Sequence, residues 1–209
     1  MLVSYSYMTV HQSEKAAFSD QLETWLHAKT PKTIGSLNES FPGKSFAVLF
    51  LILMSVPALP IPTGGITHVF EIVVVLLSLE LIFGVKNIWL PPSFSNKPLS
   101  PKMLEKGLPL LIRYIRKIEK LSKPRLSRVM RNTWARRVFG LMVLVLTFFA
   151  FFSVPFSGLD TLPSLGVVCI SLAIILEDFA GLILGVIFGG LGIGLITGLG
   201  VVLSRLFMH

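Results

Sequence analysis

Residues 46–83, FAVLFLILMSVPALPIPTGGITHVFEIVVVLLSLELIF, fall without a gap over residues 139–176, FGLMVLVLTFFAFFSVPFSGLDTLPSLGVVCISLAIIL, at a shift of 93. Phe46 meets Phe139, Leu51 meets Leu144, Leu53 meets Leu146 and Leu79 meets Leu172. Apolar runs match one another easily. The informative coincidence is that Pro62 meets Pro155 and Gly65 meets Gly158. Proline removes a backbone donor and glycine loosens the chain, so neither copy folds as one uninterrupted helix. Each copy therefore reads as apolar run, Pro/Gly break, apolar run. Paired interruptions in corresponding halves are the sequence sign of a transporter-like site.

What surrounds the repeat sets the fold class. The 209 residues are 53% hydrophobic and 14% charged, with mean hydropathy +0.76. That composition points to an all-α, polytopic membrane protein. Its apolar runs are 46–62, 66–85, 138–155, 162–176 and 180–203. A helix needs about 20 apolar residues to cross a bilayer, so 46–62 and 162–176 are short and 180–203 is long. Only eleven residues precede Pro57 in the first run. Two structures satisfy this. The break is either a turn at the far surface, or a re-entrant apex within the membrane, where protein or water must satisfy its backbone. The expected organisation is N-terminal cytoplasmic helices over 1–45, hairpin repeats over 46–85 and 138–177, a basic segment over 86–137 between them, and a Gly-rich C-terminal helix over 178–209. The first 45 residues carry four acids ahead of the first apolar run, unlike a signal peptide. Cys169, the single cysteine, excludes an intrachain disulfide and reads as a small buried residue.

Charge fixes the orientation. Residues 86–137 hold fourteen Lys and Arg against Glu105 and Glu119, a net +12, which assigns them to the cytoplasmic side of the membrane. Flanked by apolar runs, this segment meets anionic lipid headgroups rather than nucleic acid. Within it Leu108, Leu111, Ile112, Ile115 and Ile118 recur at helical spacing, with Arg113, Arg116, Lys117 and Lys120 opposite and Pro124 as the stop. This is either an interfacial amphipathic helix or a helix packed on its own protein. Trp89 and Trp134 stand where indoles anchor at headgroup level.

The candidate site lies around the breaks: Pro60, Pro62, Gly64, Gly65, His68 and Glu71 in the first copy, Pro155, Gly158, Asp160 and Pro163 in the second. Ionisable groups inside a membrane segment are candidates by default. His68 and Glu71 are three apart, hence neighbours on one helical face. Together they can carry a proton or bind a substrate hydroxyl. Thr67 and Asp160 or Thr161 suit helix N-caps, and Pro163 suits a first turn. Glu80 sits on the face opposite Glu71 and is expected near Lys86. Glu177 and Asp178 read as a solvated acidic turn at the cytoplasmic face. No nucleophile with base and orienter, no metal-spaced cluster and no nucleotide fingerprint occurs, so no catalytic residue, metal or cofactor is expected. Gly181, Gly185 and Gly189, then Gly190, Gly194 and Gly198, recur at spacing four and let helices approach closely, within the monomer or in a homodimer.

The order of pieces TIGSLNESFPGKSF, LPIPTGG, LELIFGVKNIWLPP, RKIEKLSKPRL, VPFSGLDTLPS and LED resembles the ExoD exopolysaccharide-synthesis family over residues 30–190. The resemblance implies an inner-membrane protein linked to exopolysaccharide production. It names a process and no reaction. The family usually has Gln where Glu80 stands, and an Asp-Gly turn where this chain has Glu177-Asp178-Phe179-Ala180-Gly181. The reading is a small transporter or handler of lipid-linked sugar, working with polysaccharide machinery. The alternative is a non-catalytic scaffold of a synthesis complex.

Overall fold

The computed structural model describes residues 17–41, 44–59, 66–85, 88–89, 95–122, 129, 132–153 and 157–207. Among them the chain is helical, with a single isolated bridge between Thr33 and Pro98. The helices are α1 (Phe18–His27), α2 (Ile34–Ser40), α3 (Ser45–Met54), α4 (Ile66–Ile82), α5 (Leu108–Glu119), α6 (Thr133–Phe151), α7 (Thr161–Leu176) and α8 (Phe179–Phe207). Both copies of the repeat are hairpins, α3–α4 and α6–α7. Helix α3 stops at Met54 because Pro57 has no amide to give to the Leu53 carbonyl.

The hairpins interlock. Helix α3 packs on α7, and α6 packs on α4, the same relation with the copies exchanged. The buried faces obey the 93-residue shift. Glu71 and Ser164, Val74 and Val167, Leu77 and Ile170, Ser78 and Ser171, and Leu81 and Ile174 are all buried. Ser78 Oγ donates to the Val75 carbonyl at 2.8 Å, and Ser171 Oγ to the Val167 carbonyl at 2.7 Å. Back-bonding of this kind removes each hydroxyl from the apolar seam.

The equivalence extends one step beyond the aligned stretch at both ends. Gly84 and Glu177, 93 apart, both take left-handed backbone after their helices, with φ of 81° and 55°. Each is faced by a cation that opens the other hairpin. Lys44 Nζ lies 3.5 Å from the Glu177 carboxylate and donates to the Ile175 carbonyl at 2.7 Å. The Arg137 guanidinium stands beside Gly84. Lys44 and Arg137 are themselves 93 apart. A cation at a helix C-terminus satisfies exposed carbonyls and opposes the negative end of the dipole.

The acidic pair is therefore structural rather than merely solvated. Glu177 makes the left-handed turn, and Asp178 Oδ1 accepts the Ala180 amide at 3.1 Å at the start of α8. The turn survives without the Asp-Gly that the family resemblance implied. Glu80 is also engaged by backbone. It accepts the Trp89 amide at 3.1 Å, and Lys86 lies outside the described residues.

The amphipathic helix is resolved toward the second of its two readings. Leu108, Ile112 and Ile115 of α5 are buried, and the helix packs on α1, whose Phe18, Leu22 and Trp25 are buried too. Arg116 bonds Asp20 and Glu23, and Glu119 accepts both the amide and the hydroxyl of Ser19. The apolar face is thus covered by protein, with Arg113, Lys117 and Lys120 outward. A five-residue π turn, Met103–Gly107, leads into α5. Pro109 offers no amide to the Glu105 carbonyl, and the widened turn absorbs the lost bond.

Helix α8 is about 43 Å long at 1.5 Å per residue and lies in the groove between α6 and α7. Its first glycines make that contact. A Cβ on Gly166 would stand 2.9 Å from the Gly185 oxygen and from the Gly189 nitrogen, and one on Gly192 would meet the Pro163 ring. The second glycine set is used differently. Gly190, Gly194, Gly198 and Gly200 have nothing within 4 Å. From about Gly192 onward α8 continues past the end of α7 into open space. Among the described residues two helices, Thr133–Phe151 and Phe179–Val202, are long and apolar enough to cross a membrane.

Gly166→Ala places a methyl against backbone atoms that cannot yield without moving α8. We expect a loss of about 1–3 kcal/mol, read as a lower unfolding midpoint of the purified protein. Gly198→Ala, in open space, is expected to stay within about 0.5 kcal/mol. Equal midpoints for the two variants would contradict the packing described.

Candidate functional site

The break-side ends of α4, α6 and α7 bring together polar groups that the chain elsewhere keeps apart. His68 stands in the first turns of α4, and its Nδ1 lies 2.7 Å from Glu71 Oε2. The pair anticipated from spacing is therefore formed. Glu71 is fully buried, whereas the His68 side chain is 29% exposed. The imidazole is packed edge-on against Phe151 of α6, with centroids 5.4 Å apart. Asp160, at the start of α7, is near enough for its charge to act on Glu71. The two copies thus meet here, His68 and Glu71 from one, Phe151 and Asp160 from the other.

Asp160 is not the helix cap that its position suggested. It occupies the N-cap place of α7 with helical backbone and makes no side-chain capping bond. Thr67 is no cap either, since α4 already begins at Ile66 and Thr67 is buried in its first turn. Pro163 is the third residue of α7, where its missing amide costs no helical bond. Gly158 has φ 70° with nothing within 4 Å, so it serves the turn. Pro60, Pro62, Gly64, Gly65 and Pro155 lie outside the described residues. Glu177 and Asp178 lie at the opposite end of the hairpins.

Two members of the site were missed in the sequence. Glu71 Oε1, Thr147 Oγ1 and Ser164 Oγ are all buried with no hydrogen-bond partner. Ser164 is the repeat counterpart of Glu71. Thr147 lies on α6, which runs antiparallel to α4. Gly140 meets Ser78 and Ile82 near one end, and Phe151 meets His68 near the other, so Thr147 falls at the level of Glu71. A buried polar atom without a partner costs on the order of 1–3 kcal/mol, and three of them sit in one stretch of the interlocked hairpins. The signal available was the repeat itself, since a hydroxyl at position 164 repeats a carboxylate at position 71.

Chemically the arrangement is a half-exposed imidazole joined to a buried carboxylate, with a second carboxylate nearby. It can pass a proton inward from His68 to Glu71. It can also present acceptors and hydroxyls to a polyhydroxyl group. Among the described residues no three His, Cys, Asp or Glu side chains are grouped so as to hold a metal ion.

Thr147→Val keeps the shape and deletes an unpartnered hydroxyl. We expect stability to hold or rise by about 1 kcal/mol in thermal unfolding. A fall of more than about 2 kcal/mol would show that the hydroxyl is bonded and outside any site.

A model of the exopolysaccharide-synthesis family ExoD matches residues 18–198. An uncharacterized protein of Synechocystis sp. is 26% identical over 167 residues, which are 78% of this chain and 69% of that protein. Protein ExoD of Rhizobium meliloti is 27% identical over 140 residues, 65% of this chain and 57% of its own length. No solved structure matches. With both hairpins and the polar site inside the matched span, the chain belongs to the ExoD exopolysaccharide-synthesis family.

Proposed function

We propose that the chain is a multi-pass protein of the bacterial inner membrane that moves or handles a lipid-linked sugar during exopolysaccharide production. Protonation of Glu71 is coupled to that step. The observation that carries the reading is the free Oε1 of a fully buried Glu71 where the two hairpins meet. Its other oxygen is tied to a half-exposed histidine.

The depth of the site supports it. Helix α8 leaves the basic end of the bundle and reaches Pro163, beside the break, at Gly192. Thirteen residues of helix correspond to roughly 20 Å. The apolar stretch continues to Val202, about 35 Å from its start. A hydrocarbon core is about 30 Å thick. In this reading the breaks are re-entrant apices inside the membrane rather than turns at its far surface. The exposed apolar side chains on α6 and α8, among them Val145, Phe148, Leu191 and Leu195, face lipid in this arrangement. Sites at mid-depth between paired broken helices are the architecture of secondary transporters.

A second reading, a scaffold for a synthesis complex, draws on the α1–α5 cap, whose outward Arg113, Lys117 and Lys120 offer a basic surface.

Glu71→Gln separates the two. In cells carrying it at normal abundance we expect secreted polymer to fall by about tenfold, the scale of one lost charge-assisted interaction, while lipid-linked intermediates accumulate. Normal polymer in Glu71→Gln, with loss on reversing Arg113, Lys117 and Lys120 to Glu, would establish the scaffold instead.

A further inference from the structure

The two hairpins are alike, but only one of them is covered by α8. The residues of the second hairpin that meet glycines of α8 include Leu146, Pro163, Gly166 and Ile170. Their counterparts 93 residues earlier are Leu53, Phe70, Val73 and Leu77. These four line one cavity of about 220 Å³, closed on its other side by the 97–103 segment. The cavity thus occupies in the first hairpin the place that α8 fills in the second.

What can fill it differs from what fills its twin. Helix α8 approaches α7 so closely because Gly166 meets Gly185 and Gly189 backbone to backbone. In the first hairpin Val73 stands where Gly166 stands, and Phe70 where Pro163 stands. A helix cannot come to the same distance across those side chains. A narrower apolar body can. The wall is nearly all hydrocarbon, and Lys97 stands at it, exposed and without an ion pair among the described residues. An apolar slot beside an unpaired cation suits an amphiphile with a negative head.

We propose that this cavity holds the hydrocarbon chain of a membrane lipid whose acidic headgroup lies against Lys97. The inference rests on the membrane location proposed above. Chain burial supplies affinity in proportion to the apolar area removed from water. Lys97 supplies the preference for a negative head. The lipid then takes, on the first hairpin, the place that α8 takes on the second, and the first hairpin acquires a wall that can be exchanged.

The test uses the full chain, purified in detergent and given palmitoyl-oleoyl phosphatidylglycerol or the matching phosphatidylcholine, with retained lipid read by native mass spectrometry. Val69→Trp plugs the cavity from its rim, where Val69 is largely exposed, so the core is undisturbed. We expect phosphatidylglycerol to be retained over phosphatidylcholine by the wild type and its retention to fall at least about tenfold in Val69→Trp. Ile72→Trp, also exposed on α4 but away from the cavity, should leave retention unchanged. Lys97→Gln should keep the lipid and lose the preference, and that variant decides the matter if Val69→Trp fails to fold. Undiminished retention in Val69→Trp, an intact preference in Lys97→Gln, or photo-crosslinking from position 69 to another protein helix instead of lipid would each overturn the proposal. Retention is measured without transport, so a silent Glu71→Gln and an unplugged cavity are separate failures.

Discussion

Everything in this molecule depends on two short hairpins packing across one another. A ten-residue α3 does not span a bilayer and buries almost its whole circumference in protein. Its partner across the interface is α7, from the other copy, just as α6 is the partner of α4. Each hairpin thereby covers the other's incomplete arm. The cations Lys44 and Arg137 close the arrangement at the basic end, each over the left-handed residue that ends the opposite hairpin. The breaks close it at the other. The short arm of each hairpin packs on the other copy, so the repeat and the short arms belong to one arrangement.

The departure from symmetry is as informative as the symmetry. Gly166 at the position equivalent to Val73, with Pro163 at that of Phe70, lets the α8 backbone dock closely on the second hairpin. Close approach is the chief source of helix affinity in an apolar medium, because hydrocarbon does not drive apolar surfaces together. The second glycine set does not serve the same contact, since Gly190 faces away from α7 and Gly194 and Gly198 lie beyond its end. One hairpin is consequently packed backbone to backbone against α8, and the other faces a cavity bounded by the 97–103 segment.

The repeat was legible because proline and glycine punctuate both copies at one shift, a coincidence that apolar composition does not produce. The His68–Glu71 bond was legible from spacing alone. What escaped was of two kinds. Thr147 and Ser164 are hydroxyls in apolar runs, and such residues usually vanish by bonding their own helix, as Ser78 and Ser171 do. Only the structure shows that Thr147 and Ser164 do not. The partner of α5 was the other kind. A periodic apolar face states that something covers it, and lipid and protein leave the same pattern. Here Phe18, Leu22 and Trp25 of α1 take that face, assisted by Arg116 between Asp20 and Glu23. Asp160 shows the same limit in reverse, since its place before α7 favours a cap and its side chain makes none.

An uncapped Asp160 and a half-paired Glu71 carry a consequence for how the site works. Burying a carboxylate is costly unless its oxygens are bonded, and one oxygen of Glu71 is not. A second carboxylate, Asp160, stands near it at the start of α7. A hydrogen-bonding partner on that oxygen, such as water or a ligand hydroxyl, lowers the cost. Glu71 lies where the two hairpins meet, so in the proposed function what binds it bears on how they fit together. In the proposed coupling His68, part-exposed on one side and bonded to Glu71 on the other, is the route by which a proton arrives. The second hairpin is held backbone to backbone by α8 and the first is not, so in that proposal the first hairpin is the one that moves.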